Sequence, residues 1–351
     1  MSHTLLVTGA AGYIGSHFVE ALYESGLDFL SGAQLVLVDN LSLGNDFAIR
    51  ALAELARERG FPVPRFYQTD LLDVSGLDAI FRETSPDAVF HFAAKISVAE
   101  SVEKPDFYFE NNVVGSKNLL DAMKKIGCMR IVFSSTAAVY GKVEDPLRSH
   151  HPIPEETPLV PVNPYGKTKL MMEKAIEAAY SEWGLQSVIF RYFNAAGAST
   201  SGRLGECHEP ETHLVPLLIR AALSDKALAV FGTHYDTRDG SCIRDYVHVA
   251  DLASAHLLGF RKMLDHAPSD PLIFNLGTEK GSTVLEVIEA VKVLTGKAVR
   301  LDIRPNRAGD SAVLIADSSR ARKELEWKPT HSSLYEILKT VLDWEKKHHA
   351  R

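Results

Sequence analysis

The feature that most constrains the fold is a glycine-rich turn between a short apolar run and a helical pattern. Residues 4–8 are mostly apolar, Gly9, Gly12 and Gly15 follow at intervals of three, and residues 16–23 show helical periodicity. The spacing GxxGxxG is a variant of the dinucleotide-binding fingerprint GxGxxG. Gly9 permits a tight turn, Gly12 permits the backbone to approach a pyrophosphate, and Gly15 permits close helix packing. The segment therefore predicts a strand, turn and helix that bind a dinucleotide.

An acidic residue ends the next predicted strand. Residues 34–38 are largely apolar and Asp39 follows them. A carboxylate there can accept hydrogen bonds from the adenosine ribose and would repel a 2′-phosphate, so the sequence favours NAD over NADP. The alternative interpretation of Asp39 is a loop acid or a helix cap. Its distance from Gly15 is slightly longer than usual, and we ascribe the difference to an insertion at residues 26–32.

Strand and helix patterns alternate through the rest of the first half. The predicted strands cover 64–70, 88–94 and 130–135, and the predicted helices cover 46–59, about 75–84 and 111–126. This alternation predicts parallel βαβ units and an α/β fold with a doubly wound, Rossmann-type sheet. Ligands of such sheets bind at the carboxyl ends of the strands. The residues at those ends are Asp39, Asp70, Ala93, Ala94, Ser134, Ser135 and Thr136.

The second half of the chain predicts a smaller α/β lobe. Clean alternation ends after about residue 180, and a strand at about 185–193 returns to the main sheet. We therefore expect a nucleotide-binding domain over residues 1–180 and a second lobe mainly over residues 194–351. No linker or low-complexity segment separates them, so the boundary is soft and the segments are expected to interleave.

A tyrosine and a lysine stand four residues apart where a long helix is predicted to begin. This spacing places Tyr165 and Lys169 on one face of the helix. An ammonium beside a phenol favours the phenolate and lowers the tyrosine pKa from about 10. The pair could therefore supply a proton acceptor near neutral pH. The spacing alone is a common accident, so its meaning depends on the rest of the chain.

Bulk properties exclude several classes of protein. The net charge of −7 argues against a nucleic-acid binder with a broad basic face, and no apolar run approaches a membrane span. The N-terminus lacks a basic region and a cleavage site, so we expect a cytoplasmic protein. Three widely spaced cysteines without a CxxC indicate neither a disulfide framework nor a zinc knuckle. His208 and His213 are similar to an HExxH motif, but the spacing is one residue too long and Pro210 would break the helix, so we expect no metal.

Several motifs together resemble the UDP-glucose 4-epimerase family of the extended short-chain dehydrogenases/reductases. Besides the glycine turn, Asp39, Thr136, Tyr165 and Lys169, these motifs are HFAA at 91–94, FSSTAAVYG at 133–141, RYFN at 191–194 and GSCIRDYVH at 240–248. The resemblance runs from about residue 4 to about residue 345. It implies reversible C4 epimerisation of UDP-glucose and UDP-galactose through a 4-keto sugar, with tightly bound NAD.

The resemblance also implies three sets of site residues. The catalytic set is Tyr165 as base, Lys169 lowering its pKa and Thr136 assisting proton transfer. With Gly9, Gly12 and Gly15, the residues implied to contact NAD are Tyr13, Ile14, Asp39, Asn40, Asp70, Leu71, Phe92, Ala93, Ala94, Asn111, Tyr165, Lys169 and Phe193. The residues implied to hold the UDP-sugar are Thr136, Tyr165, Asn194, His213, Leu214, Ala229, Val230, Phe231, Arg244, Tyr246, Arg307, Asp310 and Leu314.

Differences from related enzymes at a few positions limit the type of reaction that the chain can catalyse. Thr136 stands where the family often has serine, so the hydroxyl is kept. Ile96 stands where one branch has lysine, and Lys95 is one place off, so we assign it no cofactor contact. Related 4,6-dehydratases carry an acidic pair after the strand-end threonine, and decarboxylases carry a glutamate at the second place. Ala137 and Ala138 occupy these places here, so redox chemistry without elimination is favoured.

The substrate and the assembly leave alternatives open. Leu314 aligns with a position that limits the room beside the sugar, and its size is intermediate between the tyrosine and the small residues of the family. UDP-N-acetylhexosamines and UDP-hexuronates therefore stay possible substrates, and a non-catalytic NAD-binding sensor is a remote alternative. By analogy the helices at 111–126 and 165–181 form a homodimer face, although they could equally pack on the sheet.

Overall fold

The computed structural model describes residues 3–142, 151–224, 226–265, 270–306 and 311–348. The chain divides into two compact units, each built from separate stretches of sequence. Unit 1 comprises Met1–Val139, Asn163–Arg191 and Ala253–Phe274, and unit 2 comprises Tyr140–Val162, Tyr192–Leu252 and Asn275–Arg351. The assignment of the cofactor to one lobe and the sugar to the other stays a prediction.

The strands are short and are numbered in chain order. They are β1 Thr4–Thr8, β2 Gln34–Asp39, β3 Arg65–Gln68, β4 Ala88–His91, β5 Arg130–Thr136, β6 Gln186–Tyr192, β7 Asn194–Ala196, β8 Ala227–Phe231, β9 Ile243–His248, β10 Leu272–Leu276, β11 Gly281–Thr283, β12 Arg300–Arg304 and β13 Val313–Leu314. Seven of them form one sheet in the order β10-β6-β5-β4-β1-β2-β3. β1 pairs in parallel with β2 and β4, β2 with β3, and β4 with β5. The strand order runs outward from β1 in both directions, which confirms the predicted doubly wound sheet.

The helices follow the strands as the alternation predicted. They are α1 Tyr13–Glu24, α2 Asp46–Arg59, α3 Val74–Thr84, α4 Val98–Glu103, α5 Pro105–Phe109, α6 Gly115–Ile126, α7 Pro164–Trp183, α8 Leu214–Ser224, α9 Val249–Asp265, α10 Val284–Thr295, α11 Ser319–Glu324 and α12 Leu334–His348. The helix predicted at 111–126 begins with a π-helical turn, Glu110–Val114, which hydrophobic periodicity cannot distinguish from an α-helix. None of the helices described is long and apolar enough to cross a membrane.

The central sheet of unit 1 is buried on both faces. Nearly every residue of β1, β2 and β4 is buried, as expected for parallel strands covered by helices on both sides. One core cluster joins Leu6, Val36 and Val89 of these strands to Leu119 of α6 and Ile176 of α7. The packing holds the carboxyl ends of the strands in a fixed arrangement, and the predicted site residues lie at these ends.

Unit 2 has its own sheet and core. Its main sheet runs in the order β11-β9-β13, with β7 also paired to β9, and β8 pairs in parallel with β12 in a separate ribbon. Leu218 of α8, Val287 and Val291 of α10, and Ile337 and Val341 of α12 meet in one hydrophobic cluster. β9 is thus the strand with which the other three strands of the main sheet all pair.

A buried ion pair joins α7 to β6 in unit 1. The side chains of Arg191 and Glu173 are 3% and 1% exposed, and Arg191 Nη2 lies 2.6 Å from Glu173 Oε2. Arg191 Nε also donates to Glu173 Oε1 at 3.0 Å, and the Ser135 hydroxyl donates to the same carboxylate oxygen. Such forked pairs are well satisfied, but the removal of one partner leaves a buried charge without compensation.

The Arg191→Met substitution should therefore lower the free energy of unfolding by about 3–5 kcal/mol. The matched control is Lys124→Met, which removes the exposed pair of Lys124 with Glu182 in the same unit. That change should cost at most about 1 kcal/mol. Urea unfolding of both variants measures the two values, and equal losses would contradict the assigned role of the buried pair.

Candidate active site

The glycine turn packs against the end of β4. Gly9 has a φ of +69°, a conformation that favours glycine, and its N–H donates to the Val38 carbonyl at 2.9 Å. A Cβ on Gly9 would lie 2.6 Å from the Ala93 nitrogen, and one on Gly15 would lie 2.2 Å from the Gly9 carbonyl oxygen. Both neighbours are backbone atoms, so these two positions require glycine. Gly12, the N-cap residue of α1, supplies no capping side chain, which suits an anion at this helix terminus.

Asp39 lies beside this turn at the end of β2. Its Oδ2 accepts the Ala11 N–H at 3.0 Å, and its Oδ1 accepts the Leu41 N–H at 2.8 Å. Burial raises the pKa of Asp39, and the backbone hydrogen bonds oppose that rise. The Gly12 N–H also bonds to this carboxylate. The carboxylate is therefore held at the position where a ribose could be recognised.

Hydrogen bonds also join the segments that follow the neighbouring strands β2, β3 and β4. Asn40 Nδ2 donates to Asp70 Oδ2 at 2.7 Å, and the Leu72 N–H donates to Asp70 Oδ1 at 2.8 Å. The Phe92 N–H donates to the Thr8 carbonyl at 3.1 Å. This bond holds the segment after β4 beside the glycine turn. The structure therefore brings most of the predicted NAD residues to one edge of the sheet. Those along this edge are Gly9, Gly12, Tyr13, Ile14, Gly15, Asp39, Asn40, Asp70, Leu71, Phe92, Ala93 and Ala94.

Asn112 is a site residue that the pattern of residues 111–126 did not single out. Its Oδ1 accepts the Lys95 N–H at 2.8 Å, and its Nδ2 donates to the Lys95 carbonyl at 3.0 Å and to Thr168 Oγ1 at 3.2 Å. It thereby joins the loop after β4 to α7. Asn111, the predicted cofactor residue, donates from Nδ2 to Asn112 Oδ1 at 2.9 Å. No sequence signal marks Asn112, because its partners are distant in sequence and the π-helical turn that holds it shows no distinct periodicity.

Lys95 faces the acidic strand ends, although no contact was assigned to it. Its Nζ donates to Ser42 Oγ at 2.9 Å and lies 5.4 Å from the centroid of the Phe107 ring. Burial lowers the pKa of Lys95, and the charges of Glu100, Asp70 and Asp39 oppose this effect. Lys95 is therefore a further residue that could contact a dinucleotide, in place of the family lysine that aligns with Ile96.

Tyr165 and Lys169 lie on the first turns of α7, next to β5. Both side chains are buried, with Tyr165 8% and Lys169 4% exposed. Lys169 Nζ donates to the Ser134 carbonyl at 2.8 Å and lies 5.0 Å from the centroid of the Phe133 ring. The Thr168 hydroxyl donates to the Tyr165 carbonyl at 2.7 Å, which stabilises this part of the helix. The hydrogen bond from Lys169 to Ser134 therefore attaches the Tyr165–Lys169 pair to β5.

Burial sets the charge balance around Lys169. Burial lowers the pKa of Lys169 to about 7, although the Glu173 carboxylate one turn later opposes this shift. His91 bonds through Nδ1 to Thr8 Oγ1 and through Nε2 to Ser116 Oγ, both at 2.7 Å. Burial and the Lys169 charge hold the pKa of His91 at about 3, so this imidazole is neutral. Lys169 can thus gain or lose a proton near neutral pH.

Thr136 ends β5 close to the lysine contact. Side chains alternate along a strand, so Thr136 shares a face of β5 with Ser134, whose carbonyl binds Lys169. Thr136 Oγ1 accepts the Ala138 N–H at 3.2 Å, which leaves the hydroxyl proton able to donate. The three catalytic candidates therefore come from the end of β5 and the start of α7.

In unit 2, four predicted UDP-sugar residues come together on the sheet around β9. Asn194 of β7 is the register partner of Tyr246, and Leu314 of β13 is the register partner of Arg244. Arg244 Nη1 donates to the Ser311 carbonyl at 2.9 Å, which orients the guanidinium. Burial raises the pKa of Tyr246 to about 12, so its hydroxyl stays protonated.

The remaining candidates of unit 2 are spread over other elements. Residues 229–231 lie on β8, Leu214 begins α8, and His213 immediately precedes that helix. Phe193, a predicted cofactor residue, lies between β6 and β7. Two further predicted sugar ligands fall outside the part of the chain that the structure describes, namely Arg307 and Asp310.

Comparison with known proteins gives the same family along the whole chain. Residues 6–341 match the family model described as GDP-mannose 4,6 dehydratase. The chain is 44% identical over 345 residues to UDP-glucose 4-epimerase from Halalkalibacterium halodurans, covering 98% of this chain and 96% of that protein. The similarity is therefore not confined to the cofactor motif.

Solved structures match this chain in fold and over nearly its full length. UDP-glucose-4-epimerase from Stenotrophomonas maltophila, with bound NAD and formylated UDP-arabinopyranose, is 37% identical with a TM-score of 0.89, covering 99% of each chain. The UDP-Glc/GlcNAc 4-epimerase from Campylobacter jejuni is 38% identical with a TM-score of 0.81, covering 99% of this chain and 100% of that chain. The two relatives differ in the sugars for which they are named.

The low pKa of Lys169 gives the nucleotide-free protein a characteristic pH dependence. The folded chain holds this group with a pKa of about 7 and the unfolded chain with the ordinary value of 10.5. Between these values the unfolded chain binds the extra proton, so this group makes the free energy of unfolding rise with pH. In urea unfolding between pH 7 and pH 9, the free energy of unfolding of the unchanged protein should therefore have a more positive slope with pH than that of Lys169→Met.

The matched control for this measurement is Lys167→Met, which removes an exposed lysine on the same helix. The control variant should retain the pH dependence of the unchanged protein. An unaltered slope in Lys169→Met would show that the buried lysine is not the group responsible.

Proposed function

Because this chain belongs to the UDP-glucose 4-epimerases, within the family whose model is described as GDP-mannose 4,6 dehydratase, we propose that it interconverts UDP-glucose and UDP-galactose. The reaction is a reversible inversion at C4 through a 4-keto sugar. The observation that carries the proposal is the buried Tyr165–Lys169 pair, held by α7 on the strand that ends at Thr136. A protein that only sensed NAD would have no need of this group.

The residues after Thr136 favour epimerisation over the elimination that the name of the family model denotes. Loss of water from a sugar requires a general acid and a general base at the reacting carbons. Ala137 and Ala138 follow Thr136 and form part of a short 3₁₀ turn, and neither has a titratable side chain. The reaction therefore stops at oxidation and reduction of one carbon.

NAD is the cofactor, and the edge of the unit 1 sheet fits it. When bound, NAD would supply the hydride acceptor for oxidation of C4 and the hydride donor for its reduction. Gly9 and Gly15 keep the turn free of side chains, and Asp39 is held to accept hydrogen bonds from a ribose. The residues that would hold NAD are the predicted set, from Tyr13 and Ile14 through Asn40, Asp70, Leu71, Phe92, Ala93, Ala94 and Asn111 to Lys169 and Phe193, with Lys95 added.

Tyr165 acts as the reversible base. Its phenolate takes the proton of the C4 hydroxyl as the 4-keto sugar forms, and it returns this proton to the C4 oxygen when the ketone is reduced. The Lys169 ammonium favours the phenolate by its charge, and its pKa near 7 allows it to take part in proton exchange. Thr136 donates its hydroxyl proton to the C4 oxygen and stabilises the negative charge that develops there.

The UDP part of the substrate is held by residues of unit 2. The planar guanidinium of Arg244 can form paired hydrogen bonds with diphosphate oxygens, and Asn194, Tyr246 and Leu314 lie on the same small sheet. The other members of the proposed set are His213, Leu214, Ala229, Val230, Phe231, Arg307 and Asp310.

Replacement of Tyr165 by phenylalanine tests the mechanism directly. The change removes the base and retains the ring, so kcat for UDP-galactose should fall by about 100-fold or more while the melting temperature changes little. The matched control is Tyr180→Phe, at the other end of α7, which should keep nearly full activity. Near-complete activity in Tyr165→Phe would refute the assigned base.

A second candidate substrate is a UDP-N-acetylhexosamine. The Campylobacter jejuni relative is named for both UDP-Glc and GlcNAc, and Leu314 of this chain is smaller than the tyrosine of glucose-restricted family members. UDP-hexuronates stay a further alternative. Turnover of UDP-galactose compared with UDP-N-acetylgalactosamine decides between a restricted and a dual enzyme.

Leu314→Tyr should narrow the substrate range. The larger ring would occupy room beside the sugar 2-substituent, so kcat/KM for UDP-N-acetylgalactosamine should fall at least about 10-fold more than kcat/KM for UDP-galactose. Leu301→Tyr, a change of the same kind at an exposed position of β12, is the control. A parallel fall for both substrates would show that Leu314 does not line the sugar pocket.

Assembly and physiological setting follow the family. We propose a homodimer that uses α6, α7 and the segment before α6, because Phe107, Phe109, Val114 and Met171 expose large apolar side chains there. A role in galactose metabolism and a cytoplasmic location stay predictions from the sequence.

A further inference from the structure

Four side chains of the loop before α8 converge on one point. Glu206, His208, Glu211 and His213 each offer one ligand atom, and these atoms all lie within 4.8 Å of one another. His208 Nδ1 is 3.2 Å from Glu206 Oε1 and 4.0 Å from Glu211 Oε1, and His213 Nδ1 is 3.6 Å from Glu211 Oε1. His213 Nδ1 is also hydrogen-bonded to Glu206 Oε1, and an ion at this point would replace that hydrogen bond. Ligand atoms of a tetrahedral zinc ion are roughly 3.3–3.4 Å apart. The cluster therefore has nearly the spacing of a four-coordinate metal site.

Two polar atoms of the cluster lack a hydrogen bond. The Glu211 side chain is 2% exposed, and within the described part of the chain its Oε2 and the Nδ1 of His208 have no hydrogen-bond partner. Buried polar atoms of this kind are uncommon and require an explanation. Glu211 Oε1 is oriented by the N–H groups of Thr212 and His213 at 2.8 and 2.9 Å. A bound cation would contact both atoms directly, whereas in the protein each has a charged neighbour without hydrogen-bond geometry.

The charges around the cluster also favour a cation. Arg220 Nε donates to both carboxylate oxygens of Glu345 at 3.0 Å, and its Nη2 lies 3.9 Å from Glu211 Oε2. Arg220 thus contacts two buried acids, whereas the third, Glu206, which is 4% exposed, is bonded by His213 Nδ1. Buried charges are tolerated when they are paired or bind metal. A divalent ion in place of the proton between His213 and Glu206 would pair with both Glu206 and Glu211.

We propose that Glu206, His208, Glu211 and His213 bind one divalent transition-metal ion, with Zn²⁺ as the preferred ion. Two imidazole nitrogens and two carboxylate oxygens without a thiolate form a donor set that suits Zn²⁺ in tetrahedral geometry. The ion ties the loop to the start of α8. The expectation of no metal considered only a helical HExxH, but a loop through Pro210 needs no helical spacing to bring these side chains together.

The first test measures zinc binding to the full-length protein after removal of metals. The unchanged protein should bind one Zn²⁺ per chain in equilibrium dialysis with metal analysis. Glu206→Gln and His208→Gln should weaken binding at least about 100-fold, since even residues that only support a ligand cost 10- to 100-fold. Glu209→Gln is the control, because this exposed acid lies in the same loop and outside the cluster. Absence of stoichiometric zinc, or equal binding in all variants, would overturn the proposal.

Two further measurements separate loss of the site from loss of the fold. Zn²⁺ should raise the melting temperature of the unchanged protein and of Glu209→Gln by several degrees, and it should leave that of His208→Gln unchanged. The Co²⁺ form of the unchanged protein should show the visible bands of four-coordinate cobalt without a sulfur charge-transfer band. A sulfur band would make Cys207 a ligand and would overturn the proposed donor set.

This site is distinguishable from the epimerase chemistry. The proposal concerns a loop of unit 2, whereas Thr136, Tyr165 and Lys169 belong to unit 1. His213 is shared with the proposed UDP-sugar set, so the zinc tests use Glu206 and His208, which are outside that set. Zinc binding can therefore succeed or fail independently of the Tyr165→Phe result.

Discussion

The contact of the Lys169 ammonium with β5 is the interaction on which the rest of the site depends. Its hydrogen bond to the Ser134 carbonyl joins the start of α7 to the strand that ends at Thr136. Removing an ammonium from water is costly, and rigid surroundings must offset that cost. Asn163 caps α7 through the Gly166 N–H, and the sheet below is buried on both faces. This one contact thus fixes the position of Lys169, while burial lowers the pKa of Lys169 to about 7.

The fold and much of the site could be predicted because their requirements are local. Gly9 is needed for a positive φ, Gly15 is needed because a Cβ would meet the carbonyl of Gly9, and Asp39 lies where the strand pattern ends. Asn112 could not be predicted, because its role depends on the backbone of Lys95 and on Thr168, which are distant in sequence. Lys95 was assigned no cofactor contact because the family lysine aligns with Ile96, one place further along. The Lys95 side chain nevertheless bonds to Ser42. Periodicity gives the face of a helix, but it does not give the partners across a loop.

The loop before α8 also shows that periodicity does not predict contacts within irregular segments. The sequence argument against a metal was sound for a helix, because Pro210 and the spacing exclude ligands one turn apart. A loop follows no fixed period, so the convergence of His208 and Glu211 could be found only in three dimensions. The third acid, Glu345, lies on α12, far along the chain from Arg220. Local rules therefore describe the scaffold better than they describe clusters assembled from irregular segments.

The buried Glu173–Arg191 pair has a consequence for engineering a more heat-resistant form of this protein. Replacement of a buried ion pair by apolar residues of similar volume is often neutral or stabilising, so the pair is an obvious target for redesign. Glu173, however, also opposes the effect of burial on Lys169. An apolar core at this place would let the lysine lose its proton more readily, and a more acidic medium would be needed to keep it charged. A more heat-resistant variant of this kind would therefore work best at a lower pH.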